Sequence, residues 1–285
     1  MTFVTRFAPS PTGLLHLGHA YSAILAHDLA RANGGTFLLR IEDIDRQRSR
    51  PEWEELIYED LHWLRLSWDE PVVRQSERLG AYREVLKWLW DQEAVFACTC
   101  NRRDILAAAS APHEGDPSTG PDGVIYPGTC RGNRSPHGPT PIPNNAVLRL
   151  DMKKAGTSLT FEETGAGPNG ETGRIRVEHH ELDRGVGDVV VSRRDMGTSY
   201  HLSVVLDDAA QGITHVVRGQ DLFEATKIHV VLQRLLNLPT PTYHHHRLIR
   251  DDAGKRLAKR DDARAIRTYR DSGATPEDIR RMVGL

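Results

Sequence analysis

The stretch Arg6-Phe7-Ala8-Pro9-Ser10-Pro11-Thr12-Gly13-Leu14-Leu15-His16-Leu17-Gly18-His19 decides how this chain folds. Leading into it, Phe3 to Phe7 alternates β-branched and aromatic residues with Thr5 and Arg6, the pattern of a short strand. Pro9, Pro11 and Gly13 bar a helix there and force an extended turn. Leu17, Ala20, Ile24 and Leu25 then recur at helical spacing, so a helix begins at His16 or Leu17. His16 and His19 therefore stand on the first turn of a helix that follows a strand. Such a turn offers backbone N–H groups and the positive end of the helix dipole, a natural seat for phosphate. Gly18 lets a flat ring approach the backbone, and imidazoles can donate to phosphate oxygens. Paired histidines at a helix start are often mere caps, so this reading needs support from elsewhere in the chain.

Working outward, Thr36 to Ile41 is a buried strand that ends in Glu42-Asp43-Ile44-Asp45. Carboxylates at the carboxyl end of a strand in an open α/β sheet point into the ligand crevice, which suits Glu42 to a substrate ammonium group. Asp43 and Asp45 have a blander reading, pairing with Arg46 and Arg48. A helix starts at Pro51 and runs through Leu64, and another carries Leu79, Tyr82, Leu86 and Leu89. This β-α-β-α order predicts a parallel sheet covered by helices.

The 285 residues, 39% hydrophobic and 27% charged, describe a globular chain of one and a half to two domains. No apolar run approaches the roughly 18 residues that span a bilayer, and no basic-then-apolar leader opens the sequence, so a cytoplasmic address is expected. A net charge of −2 argues against a general nucleic-acid binder. The charge is uneven, however. Residues 42–70 hold ten acids against four arginines, whereas residues 247–285 hold eleven Lys or Arg against seven acids. A phosphate-bearing partner would meet that C-terminal end and the crevice rim.

At Cys98 the character changes. Cys98-Thr99-Cys100 follows a short apolar strand, Cys130 lies farther on, and a Pro-, Gly- and Ser-rich loop from Ser110 to Gly123 lies between. Three cysteines do not make a disulfide framework in a reducing compartment; C-x-C with a distant third points to three thiolates on one Zn²⁺. The fourth ligand is open among Tyr126, four residues before Cys130, His113 and His137. Val147 to Leu150, Leu159 to Glu162 and Arg174 to Val177 read as strands of an inserted unit rather than of the parallel core. Gly187 to Ser192 reads as the sheet resuming. A helix at Tyr200 to Asp208 and a buried strand at Ile213 to Gly219, ending in Arg218, follow. His244, His245 and His246 on an extended segment read as strand-edge and surface residues. Lys255, Arg256, Leu257, Ala258 and Lys259 lie on a polar loop before the last helices.

The opening stretch resembles the HIGH motif of class I aminoacyl-tRNA synthetases, in the R-F-A-P-S-P-T-G form of the glutamyl and glutaminyl branch. D-V-V, Y-H-L, V-x-D-D and T-H-V-x-R-G recur in order, and residues 255–260 resemble the KMSKS loop, with Arg256 for its first lysine and Ala258 for its serine. The likeness covers nearly the whole chain. It implies a Rossmann-like α/β nucleotide-binding domain in two halves (1–97 and 183–238), an inserted zinc-bearing α+β subdomain (98–182), a helical C-terminal subdomain (239–285) and no anticodon-binding domain. It implies ATP with Mg²⁺ held at His16, Gly18, His19, Arg256, Leu257 and Lys259, with His16, His19 and Lys259 catalytic. L-glutamate would lie against Arg6, Phe7, Ala8, Pro9, Ser10, Glu42, Tyr200 and Arg218, the two guanidiniums gripping its carboxylates; Arg6 is the choice for the γ-carboxylate. Val204, where the branch commonly has asparagine, is a departure.

C-x-C with Y-x-x-x-C, and an end within about 30 residues of the lysine loop, resemble the family's glutamyl-queuosine subgroup. That likeness implies Tyr126 as fourth zinc ligand and glutamate placed on queuosine in the anticodon loop of tRNA(Asp), by a monomer. Three alternatives stay open: charging a tRNA 3′ end, ligation of an amino acid to a small molecule, and a non-enzymatic RNA-binding role.

Overall fold

In the computed structural model, which describes residues 2–109, 119–132, 141–143, 146–155, 157–250 and 264–285, strand β1 (Val4–Phe7) passes through the proline turn into helix α1 (Leu17–Ala32). Leu17, Ala20, Ile24 and Ala30 are among the residues α1 buries on one stripe, as the helical period demands. The chain returns as β2 (Thr36–Ile41), parallel to β1 with Val4 opposite Thr36. Helix α2 (Pro51–Trp63) leads to β3 (Val73–Arg74), parallel to β2, and helix α3 (Leu79–Asp91) buries Tyr82, Leu86 and Leu89.

Strand β4 (Val95–Cys98) leaves this sheet. It is followed by α4 (Arg102–Ala109), a tight hairpin of β5 (Thr119–Gly120) and β6 (Gly123–Val124), β7 (Val147–Leu150) and the short α5 (Met152–Ala155). Next come the hairpin of β8 (Leu159–Glu163) and β9 (Gly173–Val177), α6 (His179–Glu181), β10 (Val190–Ser192) and α7 (Tyr200–Ala210). The chain closes through β11 (His215–Gly219), α8 (Ala225–Leu235), β12 (Thr242–His246), α9 (Ile266–Asp271) and α10 (Pro276–Val283).

β11 is parallel to β12, and β1 lies beside β11, where Thr214 N donates to Val4 O at 3.1 Å and Val4 N to Thr214 Oγ1 at 2.8 Å. From this middle pair the chain moves outward in opposite directions, to β2 through α1 and to β12 through α8. A ligand crevice forms at such a switch point, beyond the carboxyl ends of the strands. Successive residues of β11 face opposite layers: Val216 packs into the core under α7 and α8, Val217 into the core around α1 and α2.

Two strand readings from the sequence are corrected. β10 does not resume the parallel sheet; it pairs antiparallel with β7, which also pairs antiparallel with β4. β8, expected in an inserted unit apart from the parallel core, runs parallel to β12 with Tyr243 opposite Glu163 and carries β9 on its outer edge. An apolar run such as Val189 to Val191, with Val189 and Val191 buried, has the same composition whichever way its neighbour runs, so its pattern does not encode direction.

Candidate active site

His16 is the N-cap of α1. Its backbone is extended, and its Nδ1 accepts from Gly18 N at 3.1 Å, while His19 Nδ1 accepts from His16 N at 3.1 Å. The two rings lie 3.8 Å apart between centroids. Because each Nδ1 offers a lone pair to a backbone N–H, each neutral ring carries its proton on Nε2. Capping and donation are thus compatible roles: the cap selects the donor tautomer. A Cβ at Gly18 would fall 3.0 Å from His16 Cε1, so a larger residue there would push the His16 ring.

This turn borders a cavity of about 490 Å³. Its walls include residues 6–10, Glu42 beyond β2, Tyr200 at the start of α7 and Arg218 near the end of β11, together with His16, Gly18 and His19. The side chains expected from the sequence to meet an amino acid therefore share one space with the helix-start histidines. Arg256, Leu257, Ala258 and Lys259 lie outside the described residues.

Arg6 is locked by a partner that motif reading passed over. Its Nε donates to Asp208 Oδ1 at 2.9 Å and its Nη2 to Asp208 Oδ2 at 3.3 Å. Arg40 Nη1 donates to the same Oδ1 at 2.8 Å, and Arg40 Nη2 to Glu42 Oε1 at 3.3 Å. Burial alone would raise the Asp208 pKa, but Arg6 and Arg40 outweigh it and hold the carboxyl below its usual range. At Glu42 the balance reverses: burial outweighs Arg40 and Arg6 and raises the pKa. Among the described residues, with Nε and one Nη2 proton used, Arg6 keeps Nη1 and the other Nη2 proton, a two-pronged edge that fits a carboxylate. Arg40, a cation inside the apolar run of β2, and the Asp207-Asp208 pair on α7 were the available signals.

Arg218 differs from expectation. Its Nε donates to His245 Nε2 at 3.1 Å, Nη1 to His229 Nδ1 at 3.1 Å, and Nη2 to Leu222 O at 3.2 Å and Thr226 Oγ1 at 2.8 Å. Those contacts take four of a guanidinium's five N–H donors. Arg218 therefore offers a ligand one hydrogen bond rather than a fork. The surface reading of His245 and His246 is overturned as well, while His244 is only half-buried. β12 lies between β11 and β8, so His245 is 1% exposed and donates to Glu163 Oε2 at 2.5 Å, and His246 lines the cavity with Nε2 2.7 Å from Ser22 Oγ.

A second cluster lies at the end of β4. Cys98, Cys100 and Cys130 converge with all sulfurs within 4.8 Å of one another, and Cys100 and Cys130 are 3.5 Å apart. Tyr126 Oη lies 3.4 Å from Cys98 Sγ and 3.6 Å from Cys100 Sγ. A zinc tetrahedron with sulfur bonds of about 2.3 Å has sulfur–sulfur edges of about 3.8 Å and, with a phenolate oxygen, sulfur–oxygen edges of about 3.5 Å. The donor set and spacings fit Zn²⁺. Burial opposes ionisation at Cys130, but hydrogen bonds from Tyr126, the Thr99 backbone and the other thiols bring its pKa down to about 6. Cys100 is pushed up to about 11 by burial. His113 and His137 lie outside the described residues.

The chain belongs to the family described as tRNA synthetases class I (E and Q), catalytic domain, which it matches over residues 2–285. It is 64% identical over 282 residues to the glutamyl-Q tRNA(Asp) synthetase of Rhodobacter capsulatus, covering 99% of this chain and 100% of that protein. It is 41% identical over 290 residues to the glutamyl-Q tRNA(Asp) synthetase of Symbiobacterium thermophilum, covering 96% and 83%. Among solved structures it resembles the glutamate tRNA ligase of Elizabethkingia meningosepticum in complex with its amino acid, with TM-score 0.77 and 27% identity. The glutamate-tRNA synthetase of Elizabethkingia anophelis gives TM-score 0.79 and 26% identity. In both comparisons all of this chain spans 61% of the other. Among the described residues no helix is long and apolar enough to cross a membrane.

Proposed function

We propose that this chain activates L-glutamate with ATP, giving glutamyl-adenylate and pyrophosphate, and transfers the glutamyl group to queuosine in the anticodon loop of tRNA(Asp). The observation that carries this reading is the one cavity lined by Arg6, Arg218, Glu42 and the His16–His19 turn. The two-pronged edge of Arg6 receives the γ-carboxylate, and Arg218 gives one hydrogen bond to the α-carboxylate. Glu42 holds the α-ammonium, and Tyr200 adds a hydroxyl contact. The glutamate α-carboxylate attacks the α-phosphorus of ATP, and pyrophosphate leaves. His16 and His19 donate from Nε2 to phosphate oxygens, and Gly18 admits the flat base. Lys259, with Arg256 and Leu257, completes the phosphate clamp. Ala265, six positions after Lys259 in sequence, bridges the backbone of His16, which supports that assignment. ATP brings Mg²⁺, which offsets phosphate charge. Catalysis is positioning and charge stabilisation, with no covalent enzyme intermediate.

Cys98, Cys100, Tyr126 and Cys130 would hold a structural zinc at the end of β4, in the segment 98–182 that lies in sequence between catalytic halves 1–97 and 183–238 and lends β8 to the sheet of β12, with 239–285 following. The acceptor rests on the names of the relatives that match along nearly the whole chain. A cytoplasmic monomer completes the reading. Pyrophosphate exchange across twenty amino acids, followed by alkali-labile charging of tRNA(Asp) with and without queuosine and of tRNA(Glu), tests it. Exchange with glutamate and charging of queuosine-bearing tRNA(Asp) alone are expected. Charging of tRNA(Glu) instead would move the acceptor to a 3′ end, and exchange without glutamate preference would end the substrate reading.

A further inference from the structure

Two histidines hold Arg218 through opposite ring nitrogens, Nε2 of His245 and Nδ1 of His229. A guanidinium has no acceptor, so each of those nitrogens must present a lone pair. The other nitrogen of each ring then carries the proton and faces an acceptor. His245 Nδ1 donates to Glu163, and His229 Nε2 donates to His201 Nδ1 at 3.1 Å. His201 in turn carries its proton on Nε2, which faces Asp122 Oδ1 at 3.7 Å. Two imidazole-to-carboxylate relays thus converge on one side chain. They draw Glu163 from β8, His245 from β12, His229 from α8, His201 from α7 and Asp122 from the β5–β6 turn. His201, His229, His245 and Glu163 are all buried, and none of the three rings lines the cavity.

We propose that His245–Glu163 and His229–His201–Asp122 are positioning relays: they fix the rotation of Arg218 so that its remaining N–H faces the cavity, and so set the affinity for the substrate carboxylate. The proposal rests on the reading of that cavity as the glutamate site. A free arginine side chain has many rotamers to lose on binding, and holding it in place beforehand removes that cost. The relays work only with neutral rings, since a protonated His229 or His245 would set N–H against N–H. Burial lowers the pKa of both rings, which keeps them neutral.

The test exploits the opposite nitrogens. Asparagine places an acceptor oxygen near the position of Nδ1, and glutamine near that of Nε2. In glutamate-dependent pyrophosphate exchange by the full chain, His229→Asn and His245→Gln should retain most of the glutamate affinity. His229→Gln, His229→Leu, His245→Asn and His245→Leu should raise KM for glutamate roughly tenfold or more, with KM for ATP held within about twofold. Asparagine and glutamine behaving alike at both positions, or an unmoved KM for glutamate, would overturn the relays. Imidazole ¹⁵N spectra of the parental protein give a second measurement that needs no variant. Nδ1–H on His245 and Nε2–H on His229 are expected, and the opposite tautomer at either ring defeats the proposal. Exchange by the parental chain separately checks the glutamate reading, so the two failures are distinguishable.

Discussion

Arg6 and Asp208 lie 202 positions apart in sequence and meet in a two-pronged ion pair, Nε to Oδ1 at 2.9 Å and Nη2 to Oδ2 at 3.3 Å. The pair ties β1 to α7, and Arg6 lines the cavity. Asp208 also receives Arg40, so one carboxylate bridges two buried guanidiniums, with Glu42 and Asp207 adding further negative charge beside Arg40.

Asp208→Asn leaves Arg6 and Arg40 facing each other over a neutral amide. Breaking a buried ion pair from one side costs about 3–5 kcal/mol, and urea unfolding should show a loss of that size. KM for glutamate should rise in the same variant because Arg6 is no longer held. Parental stability in the variant would mean that Glu42 and Asp207 carry the charge of Arg40 by themselves.

Glu42→Gln removes the proposed ammonium partner while keeping the shape. KM for glutamate should rise roughly 10- to 100-fold and KM for ATP should hardly move. The proton on Glu42 competes with the substrate ammonium, and burial raises the pKa at which it is lost. KM for glutamate should therefore fall as pH climbs through that raised pKa, and the slope should vanish in Glu42→Gln.

Metal analysis should find about one zinc per chain, removed by chelation together with a drop in melting temperature. Cys98→Ser or Cys130→Ser should abolish zinc retention, whereas Tyr126→Phe should weaken it. Glutamate-dependent exchange should persist better than thermal stability, because none of these four residues lines the cavity of about 490 Å³. Retention of zinc at parental affinity in Tyr126→Phe would remove tyrosine from the ligand set.

Asp60, buried on α2, has its pKa raised to about 6 by burial, against the lowering effect of Arg270 and Arg267. The folded state holds this proton more tightly than the unfolded chain, whose aspartate titrates near 3.9. Stability contributed by the protonated form is thus complete below about pH 4 and lost as pH rises to about 6. Asp60→Asn should raise the melting temperature above pH 6 and leave it unchanged at pH 4. Equal shifts at both pH values would separate the effect from ionisation.

Lys259→Ala should lower exchange on the order of 10²-fold by removing one phosphate clamp. Exchange at the parental rate would remove Lys259 from the site.

Much of the local structure was legible from residue order. Pro9, Pro11 and Gly13 break the chain between a strand and a helix for reasons of backbone geometry, and Leu17, Ala20 and Ile24 mark the buried face of α1. Arg6, Glu42 and Arg218 could be picked out because each sits at a strand end bordering the crevice, whereas Tyr200 was marked by the family resemblance. The cysteine spacing likewise announced a metal-type cluster.

What only the tertiary structure decided is pairing. Neither the antiparallel partner of β10 nor the parallel partner of β8 is written in an apolar run, because burial rewards contact without regard to strand direction. His245 looked exposed because three histidines in a row are polar, yet a neighbouring strand on each side buries it. The same holds for Arg218: a cation's charge is visible in sequence, but how many of its N–H groups remain for a ligand depends on acceptors delivered by residues far along the chain. Local order determined the elements and the cast of the crevice; long-range contacts determined strand direction, histidine tautomers and which edge of each guanidinium is left to bind.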